Sequence, residues 1–175
     1  MSVPLYDSPA SILSNLLFVL GQTWGTSYGI TLSHPPIASQ NDNTAWPVYY
    51  SNEPDRPDNC VTVYDTDNQD DGRSHVDGEG YFHYGFQVRV RATNSAGFNA
   101  HDVGYRQGQI IQKLLEEQTK DVPIHPDVNG VFSPLARYKV LACTRLSLRS
   151  LGADVTNTKR RIFVLNGFAA ILPLF

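Results

Sequence analysis

The stretch FQVRVRA, residues 86–92, restricts the fold of this chain more than any other segment. Phe86, Val88 and Val90 alternate without a break with Gln87, Arg89 and Arg91. A period of two residues is a strand pattern, because successive side chains leave a pleated backbone on opposite faces. The valines fit such a backbone well. The strand, expected over residues 82–92, therefore needs a sheet with an apolar face against a core. It also leaves two arginines side by side on the opposite face.

The rest of the chain supplies the core and the partner strands. Ser8 and Pro9 suit the start of a helix, as cap and first helical residue. Ile12, Leu13, Leu16, Leu17 and Leu20 then recur at helical spacing, and Gly21 is expected to end the run. Residues 22–45, with Gly25, Gly29, Pro35 and Pro36, read as extended or loop. Residues 46–51 (WPVYYS) form a β-prone segment. Residues 53–59, with Pro54, Pro57, Asp58 and Asn59, form a turn region. Val61, Val63 and Tyr64 mark another strand. Residues 67–80 are polar and glycine-rich, an exposed loop at a hairpin tip. Residues 99–120 make a second helix, capped by Asn99, with Val103, Ile110, Ile111, Leu114 and Leu115 on one face. Its Gly104 and Gly108 either let another backbone approach closely or mark a weak first turn. Residues 139–149 alternate, with Val140, Ala142, Thr144, Leu146 and Leu148 on one face. Residues 160–172 form a last, nearly all-apolar strand. The expected order is α-β-β-β-α-β-β. That order implies an α+β fold: an antiparallel or mixed sheet of about five strands with helices packed on one face. One domain spanning residues 1–175 accounts for the whole chain.

Composition excludes some functions. Fourteen basic and 17 acidic residues give a net charge of -3, so no overall basic balance attracts nucleic acid or an anionic membrane. Charged residues make up 18% of the chain, below the usual quarter, which hints that assembly hides part of the surface. The longest apolar stretch, residues 16–20, is far too short to span a bilayer. No basic segment precedes it, so a signal peptide is not expected. Cys60 and Cys143 sit inside apolar strand patterns and are expected to be buried free thiols of a reducing compartment.

Catalytic chemistry finds little support. Asp65, Asp67, Asp70 and Asp71 could offer oxygens to a hard cation. However, Gln69, Asp70 and Val76 stand where a calcium loop requires a ligand, a glycine and a glutamate. His34, His75, His83, His101 and His125 show no metal spacing, although a hairpin could bring His83 near Asp65. No GxSxG elbow, P-loop or GxGxxG is present. No catalytic, cofactor-binding or metal-binding residue is therefore assigned. The arginines are more suggestive. If the strand holding Arg89 and Arg91 neighbours the one holding Arg145 and Arg149, the outer sheet face carries a basic stripe suited to a partner's carboxylates or to phosphate. A solvated face with ordinary ion pairs would look the same.

The order PDRPDNCVTVYDT, a polar glycine-rich loop, YFHYGFQVRVRA, and a helix at GYRQGQIIQKLLEE resembles the tail terminator and minor capsid, or head-tail joining, proteins of long-tailed bacteriophages. The similarity runs from Trp46 to about Lys120. It implies a virion protein of the tail and neck, made in the host bacterial cytoplasm, that is not an enzyme. It implies a homo-oligomer, usually a hexameric ring, at the head-proximal end of the tail tube. The implied partners are the tail tube protein and the connector or stopper proteins, with genome DNA passing through the lumen without sequence-specific binding. No cofactor and no membrane enter this picture. Arg89, Arg91, Arg145, Arg149, Asp58 and Asp65 are the expected interface residues. Residues 21–45 and 122–135 exceed the simplest relatives and are expected to be arms reaching a neighbour. The alternatives are another neck component, such as a stopper or adaptor, and a small hydrolase or metal-binding enzyme.

Overall fold

A computed structural model describes the backbone of residues 7–33, 46–73, 80–95, 97–125, 127–128, 131–132 and 136–174. Side chains are described for these residues except 67–73, 80–82, 127, 128, 131 and 132. Helix α1 (Pro9–Tyr28) opens as the sequence dictates. Ser8 caps it, its hydroxyl oxygen accepting from the Ser11 N–H at 3.2 Å, and Pro9 stands at the first helical position. The helix does not stop at Gly21. It runs on to Tyr28, where Gly29 closes it in the left-handed conformation at φ 79°. Gly21 and Gly25 serve the returning chain instead. A Cβ on Gly21 would lie 2.6 Å from the Leu32 Cβ, and one on Gly25 would lie 2.5 Å from the Ile30 carbonyl oxygen. Tertiary packing has overridden their poor helix propensity.

The strands are β1 (Leu32–Ser33), β2 (Trp46–Tyr50), β3 (Cys60–Arg73), β4 (Gly80–Ala92), β5 (Val122–Ile124), β6 (Asp127–Val128), β7 (Val131–Phe132), β8 (Tyr138–Ala153) and β9 (Arg161–Pro173). Helix α2 (Ala100–Gln118) falls between β4 and β5. Seven strands make one mixed sheet, ordered β1-β2-β3-β4-β9-β8-β5, and β6 and β7 pair separately. The expectation of an α+β fold with a mixed sheet holds. The count rises from about five to seven because short segments at 32–33 and 122–124 add edge strands. Residues 67–73 extend β3 and Gly80 begins β4, against the loop expected over 67–80; the rest of that expected loop, 74–79, lies outside the described residues.

Helix α1 touches β1 and β2 at one side of the sheet and β5 at the other. A flat sheet of seven strands could not do this, so the sheet curls around α1. Two polar contacts hold the start of α1 between the two halves. Asp65 of β3 accepts from the Ala10 N–H at 2.6 Å, and the Tyr138 hydroxyl at the start of β8 donates to Asp7 at 2.7 Å. The leucines of α1 pack with Val61, Val63, Phe86, Val88 and Val90 in one core. Helix α2 covers β4, β9 and β8 beside it. Its capping by Asn99 is as the sequence indicated, with Oδ1 accepting from the Asp102 N–H at 2.9 Å. Gly104 and Gly108 do permit close approach, though by sheet side chains rather than a backbone. Cβ atoms there would meet Phe163 at 2.7 Å and Leu148 at 2.8 Å.

The alternation expected along 139–149 breaks. Register shifts fall between Val140 and Ala142 and between Thr144 and Ser147, and Arg145 adopts φ 54°. These β-bulges turn Cys143 into the core with Val140, while Thr144 is exposed.

Candidate functional site

The face of β4 away from the helices carries Gln87, Arg89 and Arg91. Its neighbours in register are Cys60 and Thr62 on β3, and Ile162 and Val164 on β9. Cys60, Thr62, Arg91, Ile162 and Val164 are all buried. Among the described residues no helix lies on this side, and the cover comes from the connection between β2 and β3. These two strands are parallel, so residues 51–59 must return along the sheet as a strap before β3 can start.

Arginines fasten the strap. Arg91, 4% exposed, donates from Nη1 to Glu53 at 2.8 Å, and from Nη2 to the carbonyl oxygens of Pro54 at 2.7 Å and Pro57 at 2.6 Å. Its planar fork reaches a carboxylate with one nitrogen and two backbone carbonyls with the other, a spread that the single nitrogen of a lysine lacks. Arg89 Nε lies 2.9 Å from the other Glu53 oxygen, an ion contact rather than an aligned hydrogen bond. Arg160 grips the far end of the strap. It donates to the Asp58 carboxylate and, from Nη2, to the Asp55 carbonyl at 2.7 Å. Asp154 lies 3.8 Å from the same guanidinium. Three arginines thus meet three carboxylates, and the cluster is neutral. Burial alone would raise the Asp154 carboxyl. Hydrogen bonds from the Thr156 N–H and hydroxyl, with the Arg160 charge, outweigh it and hold the group below the usual carboxylate range. Asn59 completes the strap by accepting from the Thr93 N–H at 2.8 Å, at the end of β4.

The six residues singled out from the sequence therefore have different surroundings. Arg91 is enclosed within its own chain. Arg89 pairs with Glu53 and keeps its side chain 31% exposed. Asp58 pairs with Arg160 and is 46% exposed. Asp65 caps α1. Arg145 and Arg149 are exposed on β8, with Arg145 over the Phe168 ring at 5.7 Å. The strands β4 and β8 are not neighbours, because β9 lies between them. Arg89 and Arg149 still share one cross-sheet row, each opposite Val164. The sequence reading missed Glu53, Arg160 and Asp154. Glu53 carried one usable signal, an acid beside proline in a turn leading to a strand with two arginines.

The enzyme-like pairing does not form. Asp65 stands opposite Phe86, and His83 stands opposite Gln69. Among the described residues, no group of three His, Cys, Asp or Glu is placed to hold a metal. Cys60 and Cys143 are free and buried as expected. Burial pushes their thiols up to about 11 and about 12, so neither is a ready nucleophile. No helix among the described residues is long and apolar enough to cross a membrane.

A cleft of about 360 Å³ opens beside the strap, between the end of α1 and the start of α2. Ile30, Trp46, Phe98 and Val103 give it apolar walls, and Asp102 and Arg106 also line it. Gln107 lines it too, and its Oε1 is buried without a hydrogen-bond partner among the described residues.

Residues 27–128, more than half of the chain, match the sequence model of a family described as bacteriophage tail terminator protein. The match runs from the end of α1 through the strap, the β3–β4 hairpin, α2 and β5. No curated protein matches the chain.

Proposed function

From the fact that this chain belongs to the bacteriophage tail terminator family, we propose that it forms a ring at the head-proximal end of the tail tube, ends tube polymerisation there, and joins the tail to the head connector. The family is structural, and membership makes the chain a component of the virion tail. The family match is the single observation that carries the proposal. The physical route is a heterologous contact between copies that closes on itself, giving a ring whose far face does not accept another tube subunit. Arg145 and Arg149, exposed on β8, with the half-exposed Asp58 and the partly exposed Arg89, are the charged groups placed to meet a neighbour or a tail protein. Arg91 acts from within, holding the strap, and exposed Asp65 holds the start of α1 while its side remains open to a neighbour. The segments 21–45 and 122–135 divide. Residues 21–28 belong to α1 and 122–124 to the sheet, so any arm is confined to 34–45 and 126–135, of which only two two-residue strands are described.

The test is the copy number and position of this chain in purified necks. A ring of several copies, usually six in this family, directly on the tube supports the proposal. Copies on the head side, separated from the tube by another protein, would make it a stopper or adaptor instead.

A further inference from the structure

The strap is tied to the sheet by backbone groups only near its ends. The Ser51 N–H donates to the Val63 carbonyl at 2.8 Å, and Asn59 accepts from the Thr93 N–H. Residues 53–58 are held differently. Among the described residues, no backbone-to-backbone hydrogen bond joins them to a strand, and none of their side chains enters the hydrophobic core. They are fastened to arginine side chains, with Glu53, Pro54 and Pro57 on Arg91 and Asp55 and Asp58 on Arg160. Asp55 and Arg56 face water on the outer side.

Such a fastening is hard to break one partner at a time and easy to release whole. Removing one partner leaves a charge buried and unpaired. Lifting the strap returns guanidinium and carboxylate to water together, so the net hold of the pairs is small. Beneath it lie Cys60 and Thr62 of β3 and Ile162 and Val164 of β9, a narrow patch rather than a core. Local opening concentrates where buried apolar contacts are few.

We propose that the strap is a latch that lifts as a unit between Ser51 and Asn59 while the sheet stays folded. Its open state bares the outer rows of β3, β4 and β9 and frees Arg89, Arg91 and Arg160 from their carboxylates. Ionic strength sets the balance, because salt screens the attraction that closes the latch, with a Debye length of about 10 Å at 0.1 M and about 3 Å at 1 M. Arg89 and Asp58, with side chains 31% and 46% exposed, are where salt reaches first. The latch is a property of the subunit and holds whether or not copies close into a ring.

Cys60 reports the opening in the full-length chain. Its thiol is free, fully buried and under the strap, with Sγ 4.0 Å from Glu53. The folded protein is treated with iodoacetamide at fixed pH, and alkylation of Cys60 is followed by mass spectrometry after digestion. Raising NaCl from about 0.1 M to about 1 M should speed alkylation at least threefold. Urea below the unfolding transition should change the rate less than about twofold, because little surface opens. Glu53→Gln removes the carboxylate shared by Arg89 and Arg91 and should give faster alkylation at low salt with a weaker response to NaCl. A Cys60 rate that climbs with urea as steeply as global unfolding would mean that the strap opens only with the whole fold. A rate indifferent to NaCl would mean that the arginines do not set the opening. Either result in the wild-type chain overturns the latch.

Discussion

The two faces of the sheet are closed in different ways, although the same strand feeds both. Toward the helices, β4 offers Phe86, Val88 and Val90 to an apolar core completed by α1 and α2. Toward the strap, it offers Arg89 and Arg91 to one carboxylate and several backbone carbonyls. Apolar packing tolerates exchange between side chains of similar shape. A buried guanidinium does not, because each donor has an assigned acceptor and an unpaired charge is costly. The helix face therefore sets the fold class. The strap face fixes one conformation of a segment that must return along the sheet without a helix.

Conservative exchanges on the two faces should separate them most strongly. Arg91→Ala is expected to cost about 3–5 kcal/mol in denaturant unfolding, and Arg91→Lys to recover little of it, since an ammonium cannot span Glu53 and two carbonyls. Val88→Ile on the opposite face should cost less than about 1.5 kcal/mol. Equal, small losses for Arg91→Lys and Val88→Ile would erase the distinction. Next in size, Gly104→Val should cost about 1–3 kcal/mol by driving α2 off Phe163, measured the same way, and a neutral result would show that α2 is free to shift. Asp65→Ala removes the acceptor at the start of α1 and should cost about 0.5–2 kcal/mol.

The smallest effect is a pH dependence confined to the strap side. The Asp154 carboxyl is held below its ordinary value, so its contribution is present above that value and is lost as pH falls through the depressed one. Stability measured from pH 5 downward should fall less steeply in Asp154→Asn than in the wild type. Identical slopes would remove Asp154 from the cluster.

Legibility in the sequence follows the same division. Patterns with local causes could be read directly: the β4 alternation, the Ser8 and Asn99 caps, and the burial of Val61 and Val63. Features decided by distant contacts could not. Gly21 looks like a helix stop until Leu32 is seen packed against it. The alternation of 139–149 looks regular until bulges between Val140 and Ala142 and between Thr144 and Ser147 turn Cys143 inward between them, while Leu146 and Leu148 keep the expected face. Arg91 looks like a surface cation because nothing local announces that Glu53, 38 residues away, will meet it under a strap. The stretch DNCVTVYDT suggested a metal loop at its acidic end. Its described aspartates instead latch the strap at Asp58 and cap a helix at Asp65.

The central claim, that the chain terminates the tail tube, is tested most directly by the length of tails assembled without it. Electron micrographs of lysates from phage lacking this chain should show tubes of irregular, extended length and filled heads without tails. Tails of uniform wild-type length in those lysates would contradict the account.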